Sequence, residues 1–138
     1  MENICPVLRQ KIWLIGLVLW LGAACAPQMV PAPLTWPSVV ITEDGVAYYV
    51  RYLRLPGTRQ ELRVKKGKAN TWMPLALMQS LEFTGPIQDD YRPAKIVLTS
   101  GEALHVEVAT NCVLEGNTDL GYWNMLLAKV TRIEFGTE

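Results

Sequence analysis

Met73-Pro-Leu-Ala-Leu-Met-Gln-Ser-Leu-Glu-Phe83 returns 52 positions later as Met125-Leu-Leu-Ala-Lys-Val-Thr-Arg-Ile-Glu-Phe135. Met, Leu, Ala, Glu and Phe recur in place, and Leu81 becomes Ile133. Read with a period of two, each block closes on a strand. Leu81 and Phe83, or Ile133 and Phe135, take one face, and Glu82 or Glu134 takes the other. Upstream, Val39-Val40-Ile41-Thr42-Glu-Asp-Gly45 echoes Ile96-Val97-Leu98-Thr99-Ser-Gly101. Trp72 and Trp123 precede the two blocks within one residue of register, which places both rings in the core. A tandem duplication follows, with units over residues 38–85 and 94–136 joined through Gly85–Pro93.

The rest of the body keeps the same period. Val46, Tyr48, Val50 and Tyr52 alternate with Ala47, Tyr49, Arg51 and Leu53. Leu62 and Val64, then Leu104, Val106 and Val108, alternate in the same way with polar or small residues. Such alternation puts one face on a core and one in water, as in a half-buried antiparallel strand. Asp44-Gly45, Pro56-Gly57, Lys66-Gly67, Ser100-Gly101 and Gly116-Asn117 punctuate the runs with turn residues, so hairpins are expected there. Met73–Leu81 is the one helical candidate after Pro37, and Pro74 limits it to a short turn. A unit of roughly 45 residues makes a marginal core alone, so the two should pack together. The expected fold is all-β: a small barrel or two packed SH3-like barrels built from the tandem repeat, after an N-terminal signal or anchor helix.

That N-terminal segment reads differently. Arg9 and Lys11 precede an apolar run, Ile12 to Leu21, of signal-peptide length, and small residues follow it. A spanning helix needs about 17–25 apolar residues. Ile12 to Ala26 offers fifteen before Pro27 intervenes. Leu21-Gly22-Ala23-Ala24-Cys25 resembles the lipobox of bacterial lipoproteins, with Ala23 and Ala24 directly before the cysteine and Gly22 departing from the usual leucine. The resemblance implies removal of residues 1–24 and acylation of Cys25; the alternative is a helix kept as an anchor. Residues 25–37, with four prolines among 26–37, read as an extended tether on the exported side of a membrane, at the periplasmic or extracellular face.

Removing residues 1–24 leaves 11 basic and 12 acidic residues, a balance that offers a nucleic acid no positive field. Charge is nonetheless uneven. Arg51, Arg54, Arg59, Arg63, Lys65, Lys66 and Lys68 face only Glu61 within residues 51–68, while four basic and nine acidic residues follow Lys68. These seven form a candidate basic hairpin for anionic surface polymers or lipid headgroups. His105 and Glu107 lie two apart on one strand and point the same way into water, as a surface pair. Asp89-Asp90 falls in the inter-repeat connection as a solvated loop. Cys112 shares parity with Leu104, Val106 and Val108 and reads as a small buried hydrophobe without an intrachain partner. No metal-ligand spacing, P-loop or G-x-S-x-G motif is present, and no cofactor is expected. The functional expectation is therefore a non-enzymatic, membrane-anchored envelope lipoprotein whose β domain serves as a structural or protein-interaction module, with an envelope protein as partner. The alternative is binding of anionic polymers or headgroups through the basic segment.

Overall fold

A computed structural model describes residues 36–57 and 60–136, all within the compact unit Pro31–Glu138. The signal segment, Cys25, the tether up to residue 35 and Arg59 lie outside the described residues. The chain runs β1 (Ser38–Thr42), β2 (Ala47–Arg54), β3 (Glu61–Lys66), β4 (Ala69–Pro74), a 3-10 turn Leu75–Leu77 and β5 (Met78–Phe83). It continues with β6 (Tyr91–Leu98), β7 (Ala103–Ala109), β8 (Val113–Thr118), β9 (Gly121–Leu126), a 3-10 turn Leu127–Lys129 and β10 (Val130–Glu134). The all-β expectation holds, and the turn at Leu75–Leu77 is the short one that Pro74 allows.

The second half begins earlier than its hydrophobic pattern suggests. Tyr91-Arg92-Pro93, expected in the connection, opens β6. Asp89 and Asp90 adopt φ of 50° and 64° and close a two-residue turn, in which Gln88 and Tyr91 exchange backbone hydrogen bonds of 2.7 and 2.9 Å. Two consecutive left-handed residues match the twist of flanking strands, and Asp tolerates that region better than most residues. The pair of aspartates thus serves the turn.

The strands pair antiparallel in one ten-stranded sheet, ordered β4-β3-β7-β6-β5-β10-β1-β2-β8-β9 and curled into a half-barrel. β2 does not pair with β3, its neighbour in sequence. It pairs with β8, and β3 pairs with β7. At the centre, Leu81 of β5 faces Ile133 of β10, flanked by Glu82↔Arg132 and Ser80↔Glu134. The hydrogen bonds recur about this point. Leu75 N–H donates to Gln60 O at 2.8 Å and Leu127 N–H to Cys112 O at 3.0 Å. Thr99 N–H reaches Leu77 O at 2.9 Å, and Glu43 N–H reaches Lys129 O at 3.0 Å. Val40 pairs with Ile133 as Ile96 pairs with Leu81, so the counterpart of Ile96 is Val40 and not Val39.

One apolar cluster lines the inner side of the sheet, including Leu62, Val108, Ile96, Leu81, Ile133, Val40, Val50 and Leu114. Phe83 and Phe135 are buried beside them, and Glu82 and Glu134 face solvent, as parity requires. The tryptophans part company. Trp123 is buried and tilts against Tyr48 with ring centroids 5.6 Å apart, whereas Trp72 is exposed. Their one-residue difference in register, Trp72 opposite Arg63 and Trp123 opposite Gly116, puts them on opposite faces.

β2 also departs from simple alternation. Arg51 pairs with Asn117 and Arg54 with Glu115, so Tyr52 and Leu53 together oppose Gly116. This bulge, with Tyr52 at φ 55°, turns Leu53 into the core and Tyr52 out, the reverse of their parity. Gly116 therefore lies within β8, and the expected turn falls later, at Asp119–Gly121, where Gly121 has φ 111°.

Arg92 faces inward. It shares a face with Ala94 and Ile96, donating from Nε to Gly85 O at 2.6 Å and from Nη1 to Val130 O at 3.1 Å. Its guanidinium lies 4.8 Å from the centroid of Phe83. At a half-buried site such as this, each bond contributes about 1 kcal/mol. Arg92→Met keeps most of the volume and removes both bonds, so we expect it to lower stability by about 2 kcal/mol in chemical denaturation. An unchanged midpoint would contradict this role.

Candidate functional site

The pairing of β2 with β8 and of β3 with β7 divides the basic segment. Arg51 and Arg54 ride on β2, Arg63, Lys65 and Lys66 on β3, and Lys68 lies in the β3–β4 turn; β2 and β3 stand six places apart in the sheet. Residues 51–68 therefore form no hairpin. Their contacts differ too. Arg54 pairs with Glu115 at 3.6 Å and donates to Tyr52 O at 3.1 Å. Arg63 donates from Nε and Nη2 to Tyr91 Oη at 2.8 and 2.6 Å, and that hydroxyl donates to Asn70 Oδ1 at 3.4 Å. The Arg63 guanidinium lies 5.4 Å from the Tyr91 centroid and 6.0 Å from that of Trp72. Lys65 Nζ stands 5.5 Å from the Tyr91 centroid. Cation and ring thus hold one another on the outer face. Lys66 and Lys68 are exposed.

Two clefts open where paired strands separate. β3 and β7 pair at Val64↔Val108 and Lys65↔Glu107. Beyond them Lys65, Lys66, Pro93, His105 and Glu107 line a cleft of about 480 Å³. β2 and β8 part beyond Arg51↔Asn117, and Asn117, Thr118, Pro37, Tyr49 and Arg51 line a cleft of about 330 Å³. The second set occupies the same backbone places as the first, in the order written. The backbone is shared and the chemistry is not. One cleft carries lysines, an imidazole and a carboxylate; the other carries tyrosines, an amide, a hydroxyl, a guanidinium and the Asp119 carboxylate. His105 and Glu107 are both exposed, as their spacing suggests.

Neither cleft is legible in the linear sequence, because each needs residues from both halves. The signal that could have pointed to them is the run of alternate polar residues Tyr49, Arg51 and His105, Glu107 on corresponding strands. Among the described residues, no three His, Cys, Asp or Glu side chains are grouped to hold a metal ion, and no helix is long and apolar enough to cross a membrane.

Cys112, in the β7–β8 connection, is half-buried and packs against the core, with Sγ 3.7 Å from Ala109 O. Burial pushes its thiol above the ordinary value of 9.0. The neutral thiol is thus favoured by folding. Its contribution is full below 9.0 and is lost as pH rises through the higher folded-state value. Alkylation of Cys112 at mildly alkaline pH, followed by peptide mass spectrometry, should be about ten-fold slower in the native chain than in urea. Equal rates would place the thiol in solvent.

The described residues form an all-β domain in which the two clefts occupy corresponding backbone positions. Residues 38–138 match the model of a family described as "Uncharacterised protein", and the chain belongs to that family. No curated protein matches the chain.

Proposed function

We propose that this protein is a non-enzymatic, lipid-anchored envelope protein, held at the exported face of a membrane through Cys25, whose β domain docks onto another envelope protein. The observation that carries the interaction role is strand β9. It ends the sheet, so one row of its backbone N–H and C=O groups has no neighbouring strand among the described residues. Tyr122 and Leu126 on it are 61% and 51% exposed, and Leu120 in the preceding turn is fully exposed. Isolated domains usually blunt such an edge with charge, proline or a covering loop. A bare edge with apolar side chains suits strand addition by a partner.

The same reading takes the two five-strand successions as a duplication. Two SH3-like barrels have exchanged strands, each completed by the first two strands of the other's repeat. The corresponding hydrogen bonds 52 positions apart, Leu75 to Gln60 and Leu127 to Cys112, support it.

A photo-reactive residue at Leu126, in cells of the native host, should yield one discrete protein adduct in the membrane fraction; the same residue at the mid-sheet position Lys95 should not. Adducts from both positions, or none from Leu126, would overturn the docking role. Intact mass spectrometry of that fraction tests the anchor. A chain starting at acylated Cys25 is expected, and an intact Met1 terminus would replace the lipid by an uncleaved helix.

A second reading, binding of anionic polymers or headgroups, is supported by the cleft holding Lys65 and Lys66 beside exposed Lys68. Changing these three to glutamate should abolish co-sedimentation with anionic vesicles. Retained co-sedimentation would dismiss this reading.

A further inference from the structure

We infer that the cleft between β2 and the β8–β9 turn binds a sugar ring of a neutral glycan. Its volume, about 330 Å³, lies at the small end of the roughly 300–1,000 Å³ typical of ligand sites. Tyr49 and Tyr52 present rings 69% and 45% exposed at its wall. The same cleft is lined by a guanidinium, an amide and a carboxylate, from Arg51, Asn117 and Asp119. Among the described residues none of these three side chains has a hydrogen-bond or ion-pair partner, so their donors and acceptors are open to a ligand. Arg54, one turn of the strand away, is already committed to Glu115.

The chemistry selects the ligand class. A pyranose offers an apolar C–H face that packs on aromatic rings and adjacent hydroxyls that both donate and accept. Planar amide, carboxylate and guanidinium groups match such hydroxyls through paired hydrogen bonds. Asp119 balances Arg51, which disfavours a polyanion, and the three open polar side chains would go unused against a hydrocarbon.

Two further observations point the same way. Tyr52 sits at φ 55°, a region bulky residues enter only at a cost, and the result is that its ring leaves the core and faces the cleft. The counterpart cleft, on the same backbone, has His105, Glu107 and Lys65 where this one has Tyr49, Arg51 and Asn117. The ring-and-amide lining is thus a property of this cleft's side chains, not a requirement of the fold. The inference stands apart from docking at β9 and from the lipid anchor.

The test is a titration of the full chain, in a detergent without sugar groups, with chitotriose and separately with maltotriose, followed by amide-resolved NMR. At millimolar saccharide, at least one of the two should shift the amides of Tyr49, Arg51 and Asn117. Tyr49→Ala and Asn117→Ala, both at exposed positions that leave the core intact, should each weaken binding about ten-fold. Lys65→Ala in the counterpart cleft should leave it unchanged. No shift with either saccharide, shifts centred on His105, or binding that survives both substitutions would overturn the assignment. So would a response to polyphosphate alone.

Discussion

Gly116→Ala is expected to cost about 2–3 kcal/mol and to lower the urea midpoint accordingly. Gly116 lies where β2 bulges onto β8. A Cβ there would meet Val50 Cγ1 closer than any real contact, with Arg51 O at 2.9 Å and Leu53 Cα at 3.6 Å. Val50 is fully buried and β-branched, so its stiff side chain has little room to give way. Arg51 O belongs to the backbone and yields only if β2 shifts. In the other half the corresponding strands pair without a bulge, and Val64 fills the same place opposite Val108. Glycine is therefore needed in one half alone. Val50→Ala in the Gly116→Ala background should recover part of the loss, because it removes Cγ1 but not Arg51 O. A Gly116→Ala protein within about 0.5 kcal/mol of the parent would contradict the close approach.

Leu81→Ala should be of similar severity, about 3 kcal/mol, for a different reason. Leu81 and Ile133 are 0% and 1% exposed and face one another where β5 meets β10. That contact joins the β4-β3-β7-β6-β5 strands to the β10-β1-β2-β8-β9 strands, so a void there loosens both. Ile133→Ala should cost about the same, and the double variant less than the sum, because the first truncation already opens the cavity the second would enlarge. Thermal unfolding should fall by more than 10 °C for either single change, at about 4–8 °C per kcal/mol for a domain near this size. Strict additivity in the double variant would show that the two side chains are not packed on each other.

Much of the fold is legible along the chain. The parity of Leu81, Phe83 and Glu82 is enough to place the closing strand's faces. Gly45, Gly57, Gly67 and Gly101 mark turns because each takes φ above +60°. What escapes is whatever depends on which strand lies beside which. Nothing in Arg51–Lys68 says that β2 will pair with β8, since strands adjacent in sequence pair more often than not. A continuous basic segment is thus read as a hairpin when its residues ride on two strands that do not pair. Gly116-Asn117 looks like a turn because the bulge that demands a glycine is on another strand, fifty or more residues upstream. Trp72 and Trp123 differ by one position, and in a strand one position reverses the face. Both clefts escape for the same reason.

Pairing between strands far apart in the chain also sets a timetable. Synthesis delivers β1 to β5 first, and β1–β2 and β3–β4 can pair at once. Yet the second edge of β3 is covered only when Val108 of β7 exists, and the second edge of Val39 waits for Glu134 at the other end of the domain. Closing such long loops before any contact rewards it makes folding slow. While the chain is still emerging, the first half shows open strand edges, the state in which β domains aggregate. A cell making this protein must keep that half from pairing with its neighbours until the last strand is out. The sheet is complete only when β10, the last strand made, lies between β5 and β1.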